Sequence, residues 1–188
     1  MPLTLEDVVL MDGDQLDRLM REGHRIDEGA LEEREFDGVS LNLPTLIEKL
    51  TWTKFCKVFH REHGGALRGW NCKVEQTPLD SPWILTQKDG RPVTYGHYRV
   101  VSPEGYRMPR PYDRGLLLDY GKGGNPRRDP TARVRDPIVA VNPGSSALLL
   151  GWSYLDLGLT TLSTPSFFVL RRGAELSHVV APPRLTTA

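Results

Sequence analysis

The chain has 188 residues, 26% of them charged and 39% hydrophobic, with 24 Lys and Arg against 24 Asp and Glu, so its formal charge is zero. A chain of this size and make-up buries a core without metal or disulfide staples, which excludes collagen-like, disordered and coiled-coil readings. No run approaches the ~20 apolar residues of a membrane span, and the start lacks the basic-then-apolar profile of a secretory leader, so a soluble, cytoplasmic protein is expected.

Neutrality conceals two opposed parts. Residues 1–38 hold 12 acidic and 4 basic side chains, a net of −8, and residues 39–188 carry the opposite balance. Residues 1–33 read as an acidic helical segment, which either lies against the basic remainder and shields a groove or stands solvated. Within it Leu16, Leu19 and Met20 fall at helical spacing after Asp14, a candidate N-cap, and Gly23 supplies a stop, so a short helix is predicted over 14–22. A second helical signal opens at Pro44 and carries Leu46, Ile47 and Leu50 on one face.

From Thr51 onward the texture is β-branched and aromatic, broken by Gly, Pro and Asp. Strands are predicted near 34–42, 52–62, 66–76, 82–87, 93–102, 114–120, 134–141, 146–156 and 165–172, with breakers such as Gly64-Gly65, Asp89-Gly90 and Asn142-Pro143-Gly144. Eight or nine strands with short links predict a mainly β fold, an antiparallel meander closed into a barrel over 34–173, followed by a tail at 174–188; closure removes exposed edges.

Alternation assigns faces. In 53–61, Cys56, Val58 and His60 share one face and Phe55, Lys57, Phe59 and Arg61 the other; in the next run Trp70, Cys72 and Val74 oppose Gly69, Asn71 and Lys73. In 146–156 both faces are apolar enough to be covered. Cys56 and Cys72 read as buried thiols. The Arg-rich stretch 107–135 brings no aromatic ladder or nucleic-acid motif with it, so it reads as a solvated loop and no nucleic-acid partner is implied.

The sequence has no Walker loop, no dinucleotide-binding glycine pattern, no HExxH and no GxSxG, and so implies no cofactor. His60-x-x-His63 would converge on a metal only if helical, because an odd spacing on a strand sends the two rings to opposite faces. No metal site is expected. Tyr120-Gly121-Lys122-Gly123-Gly124 reads as a flexible hairpin tip. His60 and His97 are the histidines expected to face the sheet core; beside a carboxylate such as Asp156, either is a candidate acid or base near neutral pH.

The order of elements resembles the GXWXG-type domain family, on four stretches. Arg34-Glu35-Phe36-Asp37-Gly38 falls at the naming motif, with Arg34 for its first glycine and Phe36 for its tryptophan, and Leu43-Pro44 follows. Trp52-Thr53-Lys54-Phe55 resembles the Trp-x-x-Lys-x-Phe stretch, Leu150-Gly151-Trp152 with Asp156 the Leu-Gly-x-x-Asp stretch, and Phe167 to Arg172 the closing strand. The resemblance implies a lipocalin-like β-barrel and carries no catalytic residue across.

Together these readings predict a lipocalin-like barrel that holds a small, mainly apolar ligand, lined by Val58, His60, Trp70, Cys72, His97, Tyr98, Trp152 and Tyr154, with helices packed at one end. Two alternatives stay open. One is an enzyme using the same cavity for acid–base isomerisation or cyclisation of an apolar substrate through His60 or His97 with a carboxylate such as Asp156. The other is a non-catalytic interaction module, with a homodimer through a strand edge as one form.

Overall fold

The structure, a computed structural model, describes residues 1–41, 53–126 and 128–184. Eight strands close a ring: β1 (Arg34–Leu41), β2 (Lys54–Arg61), β3 (Leu67–Lys73), β6 (Thr94–Val101), β7 (Leu116–Asp119), β8 (Val134–Asn142), β9 (Ser145–Asp156) and β10 (Thr161–Glu175). Between β3 and β6 a small hairpin of β4 (Gln87–Lys88) and β5 (Arg91–Pro92) stands outside the ring. Every ring strand pairs antiparallel with the next in the chain, and β10 returns to β1. The fold is therefore the closed antiparallel barrel that the strand spacing predicts. No ring strand among the described residues is left as an open edge, so a dimer would have to use another surface.

Local chemistry explains most boundaries. The β8–β9 turn needs a left-handed residue and has Gly144 there, at φ +70°. β10 carries Pro165, which has no N–H to donate; the pairing with β9 shifts register between Ser163 and Phe167, around that position. The 82–87 stretch is not a ring strand. Only a single bridge joins Leu85 to Val74, because Lys54 draws the preceding loop onto the barrel wall. Its Nζ donates to Thr77 Oγ1 at 2.9 Å, Pro78 O at 3.1 Å and Ser81 O at 3.0 Å, and sits 3.9 Å from the centre of the Trp83 ring.

The N-terminal segment forms two helices, α1 (Leu5–Val9) and α2 (Gly13–Glu22). Both open on capping boxes, Thr4 with Asp7 and Asp12 with Gln15. The α2 cap is thus Asp12, two residues ahead of the expected Asp14, because only Asp12 has a partner three residues on that returns the bond. The helices lie along the side of the barrel rather than at one end: Leu5, Val8, Leu16 and Met20 pack with Val139, Leu150, Trp152 and Val169 of β8, β9 and β10. The acidic segment does meet the basic remainder, through Asp17–Arg110 at 2.8 Å and Glu32–Arg61 at 2.6 Å. The helix expected at Pro44 and the residue Trp52 lie outside the described residues.

Candidate functional site

The position of one ion pair identifies the inner face of the wall. β2 and β8 are four places apart in either direction around the ring, so they are diametrically opposed. Lys57 Nζ on β2 nevertheless reaches Asp136 Oδ2 on β8 at 3.2 Å. That contact can only cross the lumen. Residues in phase with Lys57 and Asp136 therefore point inward, and their strand neighbours point out.

At one end the lumen is solid. Phe36, Phe59, Tyr98, Leu116, Leu118, Ile138, Ala140, Leu149 and Leu170 form a packed cluster, and Leu31, which follows the 3-10 turn Glu28–Ala30, joins it. Phe36 and Phe59 meet edge to face at 5.3 Å, as do Phe59 and Tyr98 at 5.8 Å. At the other end a cavity of about 390 Å³ remains, walled by Phe55, Phe168, Val134 and Tyr95, with hydroxyls from Ser40, Thr131, Ser153 and Ser166. Gly38 is required here: a Cβ at this position would sit 2.3 Å from the Phe55 ring.

Between the two ends lies a layer of polar side chains. Lys57 Nζ donates to Tyr120 Oη at 2.5 Å and Asn71 Oδ1 at 3.0 Å as well as to Asp136. Tyr120 Oη donates to Asp136 Oδ2 at 2.9 Å, and Ser153 Oγ to Asp136 Oδ1 at 2.7 Å. Asn71 Nδ2 donates to the Gly96 carbonyl at 3.0 Å. Lys57 and Asp136 are each only 3% exposed, and the ammonium lies within 5.6 Å of the ring centres of Phe55, Tyr98, Tyr120 and Phe168. Burial holds the Lys57 pKa below the ordinary lysine value, and the Asp136 carboxylate works against that shift. Burial and the same carboxylate push the Tyr120 phenol well above its usual value. The layer is net neutral, with every ammonium donor satisfied, and forms the floor of the cavity.

Of the residues expected to line the lumen, Tyr98 does so; the others lie on the outer face. Val58, Trp70 and Cys72 form an outer layer with Cys56 and Val74, covered by Trp83, Leu85, Leu176 and Val180. Trp152 and Tyr154 belong to the layer beneath α1 and α2. His60 binds Glu33 at 2.8 Å through Nδ1 and its ring lies 6.4 Å from that of Trp70, while the His97 ring lies 6.1 Å from the same indole. His97 Nδ1 has no hydrogen-bond partner among the described residues, and burial together with Arg68 lowers its pKa to about 4. Asp156 pairs with Arg135 at 3.4 Å. His60, His97 and Asp156 are thus not brought together, and none lines the cavity.

The cavity-floor residues that the sequence reading missed are Lys57, Asn71, Tyr120 and Asp136. The Tyr120–Gly124 run is not a hairpin tip: Asp119 Oδ1 accepts the Gly121 N–H at 2.8 Å, folding Tyr120–Lys122 into a 3-10 turn that inserts the Tyr120 ring into the lumen. In the Arg-rich stretch, Arg110 and Arg135 bind carboxylates, while Arg114, Arg128 and Arg133 are exposed. A wider groove of about 840 Å³ runs along the outside, bordered by His24, Arg25, Glu104, Asp113 and Arg114, but all five of these charged or titratable side chains are exposed. Among the described residues no group of three or more His, Cys, Asp or Glu side chains is placed to hold a metal ion, and no helix is long and apolar enough to cross a membrane.

Fold and site together define an eight-stranded antiparallel barrel with a half-filled lumen and a charged pair at its waist. In comparisons with protein-family models, curated proteins and solved structures, nothing matches this chain.

Proposed function

We propose that the protein binds a small, mainly apolar ligand in the open half of the barrel lumen. The carrying observation is the cavity itself: about 390 Å³, walled by Phe55, Phe168, Val134 and Tyr95, and floored by polar groups that converge on one point. Small-molecule sites have this composition, an apolar wall for contact area and a few placed polar groups for orientation. The neutral floor suits an uncharged polar end on the ligand, since a lone charge buried beside a completed ion pair would stay uncompensated. Membership of the GXWXG-type family is part of the same proposal, supported by the ordered matches between Arg34 and Arg172.

Native mass spectrometry of freshly purified protein, before and after addition of the neutral fluorophore N-phenyl-1-naphthylamine, tests the reading. One bound molecule per chain is expected, accompanied by a blue-shifted probe emission that Ser166→Trp abolishes. Binding that Ser166→Trp leaves unchanged, or no binding at all, would overturn a lumen site.

The enzyme alternative through His60 or His97 has no support in the cavity, because neither ring reaches it. Any proton transfer at a ligand held there would involve Lys57, Tyr120 and Asp136 instead. The interaction-module alternative would draw on the β9–β10 turn and the start of β10, where Leu157, Leu159 and Leu162 stand exposed.

A further inference from the structure

A lysine and an aspartate meeting in the middle of a barrel are not there for stability. Desolvating two charges costs about as much as their attraction returns, and apolar residues of similar volume would fill the waist at least as well. Lys57 also differs from the other buried lysine. The Lys54 ammonium is spent on backbone carbonyls and a threonine hydroxyl of the 77–82 loop, outside the lumen. The Lys57 ammonium borders the cavity and is the amine in its lining; the remaining polar side chains there are hydroxyls, Asn71 and Asp136.

We infer that Lys57 captures an uncharged carbonyl compound, an aldehyde or ketone with an apolar body, by forming an imine from the cavity side. The inference rests on the reading of the cavity as a ligand site. The charge balance of the floor selects the class. A carboxylate head would leave a net negative charge in the lumen and an amine head a net positive one, whereas a carbonyl brings none and is consumed by the amine.

The step is a condensation. Lys57 passes one proton to Asp136, 3.2 Å away, and the freed lone pair attacks the carbonyl carbon, forming the C–N bond. The carbonyl oxygen takes that proton back through Tyr120 Oη, which is bonded to both partners. A second proton from nitrogen joins the oxygen as the C–O bond breaks, and water leaves. Of the three ammonium hydrogens, two depart in that water and one stays on nitrogen. The product iminium therefore carries the charge the ammonium carried, opposite the same carboxylate. Burial assists the first step by holding the amine below the usual lysine pKa.

Decanal serves as the reactive probe and 1-decanol as its unreactive counterpart. The full chain is treated with decanal and sodium cyanoborohydride near pH 7, and the product is read by intact mass and peptide mapping. A single decyl addition on Lys57 is expected ahead of Lys49, Lys54, Lys73, Lys88 and Lys122, suppressed at least tenfold by excess 1-decanol. Lys57→Arg, which keeps the cation but not the nucleophile, should lose the mark, whereas Lys88→Arg, on the exposed hairpin outside the ring, should keep both the mark and 1-decanol binding. If 1-decanol binds and the label falls on other lysines with Lys57 unmarked, imine formation is overturned and the ligand site stands. If Lys57 is marked but 1-decanol gives no protection, capture from the cavity is overturned. If 1-decanol does not bind and Lys57 stays unmarked, both readings fail together.

Discussion

The two ends of one lumen differ in how they meet the same constraint. Eight strands enclose a space that side chains can just fill. At the closed end, Phe36, Phe59, Tyr98 and Leu170 fill it, with Leu31 drawn in from outside the ring. At the open end the inward positions are Ser40, Ser153 and Ser166, interleaved with Phe55 and Phe168, and the volume they leave is the cavity. Small polar side chains at inward positions open space that a larger apolar residue would occupy. The Lys57–Asp136 pair marks the border, with packed rings on one side and unfilled volume on the other.

The sharpest way to break this comparison is at the border. Lys57→Met should destabilise the protein by about 3–5 kcal/mol, because Asp136 is left as an unpaired buried charge. Lys57→Met with Asp136→Asn should recover most of that loss in denaturant unfolding, since the amide oxygen can accept from one of the Tyr120 and Ser153 hydroxyls while its NH2 donates to the other. Additive losses would mean that the pair itself holds the barrel together. Next come the rings. Phe59→Ala should cost ~3–5 kcal/mol at the closed end, and Phe55→Ala, whose ring already borders empty volume, should cost less. Equal losses would say that the open end is packed as tightly as the closed one. Gly38→Ala, which puts a methyl against the Phe55 ring, should cost about 1–3 kcal/mol and alter ligand binding as the ring shifts.

Smaller effects separate the lumen from the outer layer. His97 has a native pKa near 4 against an unfolded value near 6.5, so the unfolded chain takes up a proton that the native state refuses. The sign follows: stability is full above about pH 6.5 and is lost as pH falls toward 4, and His97→Gln should flatten that slope in urea titrations without touching ligand binding. The smallest change in stability, about 0.5 kcal/mol, is expected from Ser166→Leu, which fills the cavity and should weaken binding of the neutral probe at least tenfold.

How much of this was legible in the sequence differs between wall and lumen. The meander followed from turn residues: Asn142-Pro143-Gly144 and Asp89-Gly90 do form tight turns, with Gly144 and Gly90 at positive φ. The first helix, α1, was also there to be read, since Thr4 and Asp7 stand at capping-box spacing. The lining was not legible, for a physical reason. Alternation distinguishes faces when one is wet, but this barrel is covered outside as well as filled inside, so Trp70, Cys72, Trp152 and Tyr154 look as internal as Phe59 or Leu149. The expected lining takes the Val58 face of β2 as the inner one, which leaves Lys57 on the outer. A signal did exist: Lys57 lies in phase between Phe55 and Phe59, two large rings that a solvent-facing lysine would not flank on its own face. The partner, Asp136, is 79 residues away, and no local pattern shows that their strands face each other across the ring.

Methyl NMR on protein labelled at Val, Leu and Ile, titrated with 1-decanol, tests the lumen site most directly. The Val134 methyls at the open end should shift in a saturable one-to-one curve, while Val58, Val139 and Leu150 on the outer face stay in place. Shifts concentrated at those outer methyls, with Val134 unmoved, would contradict a ligand site inside the barrel.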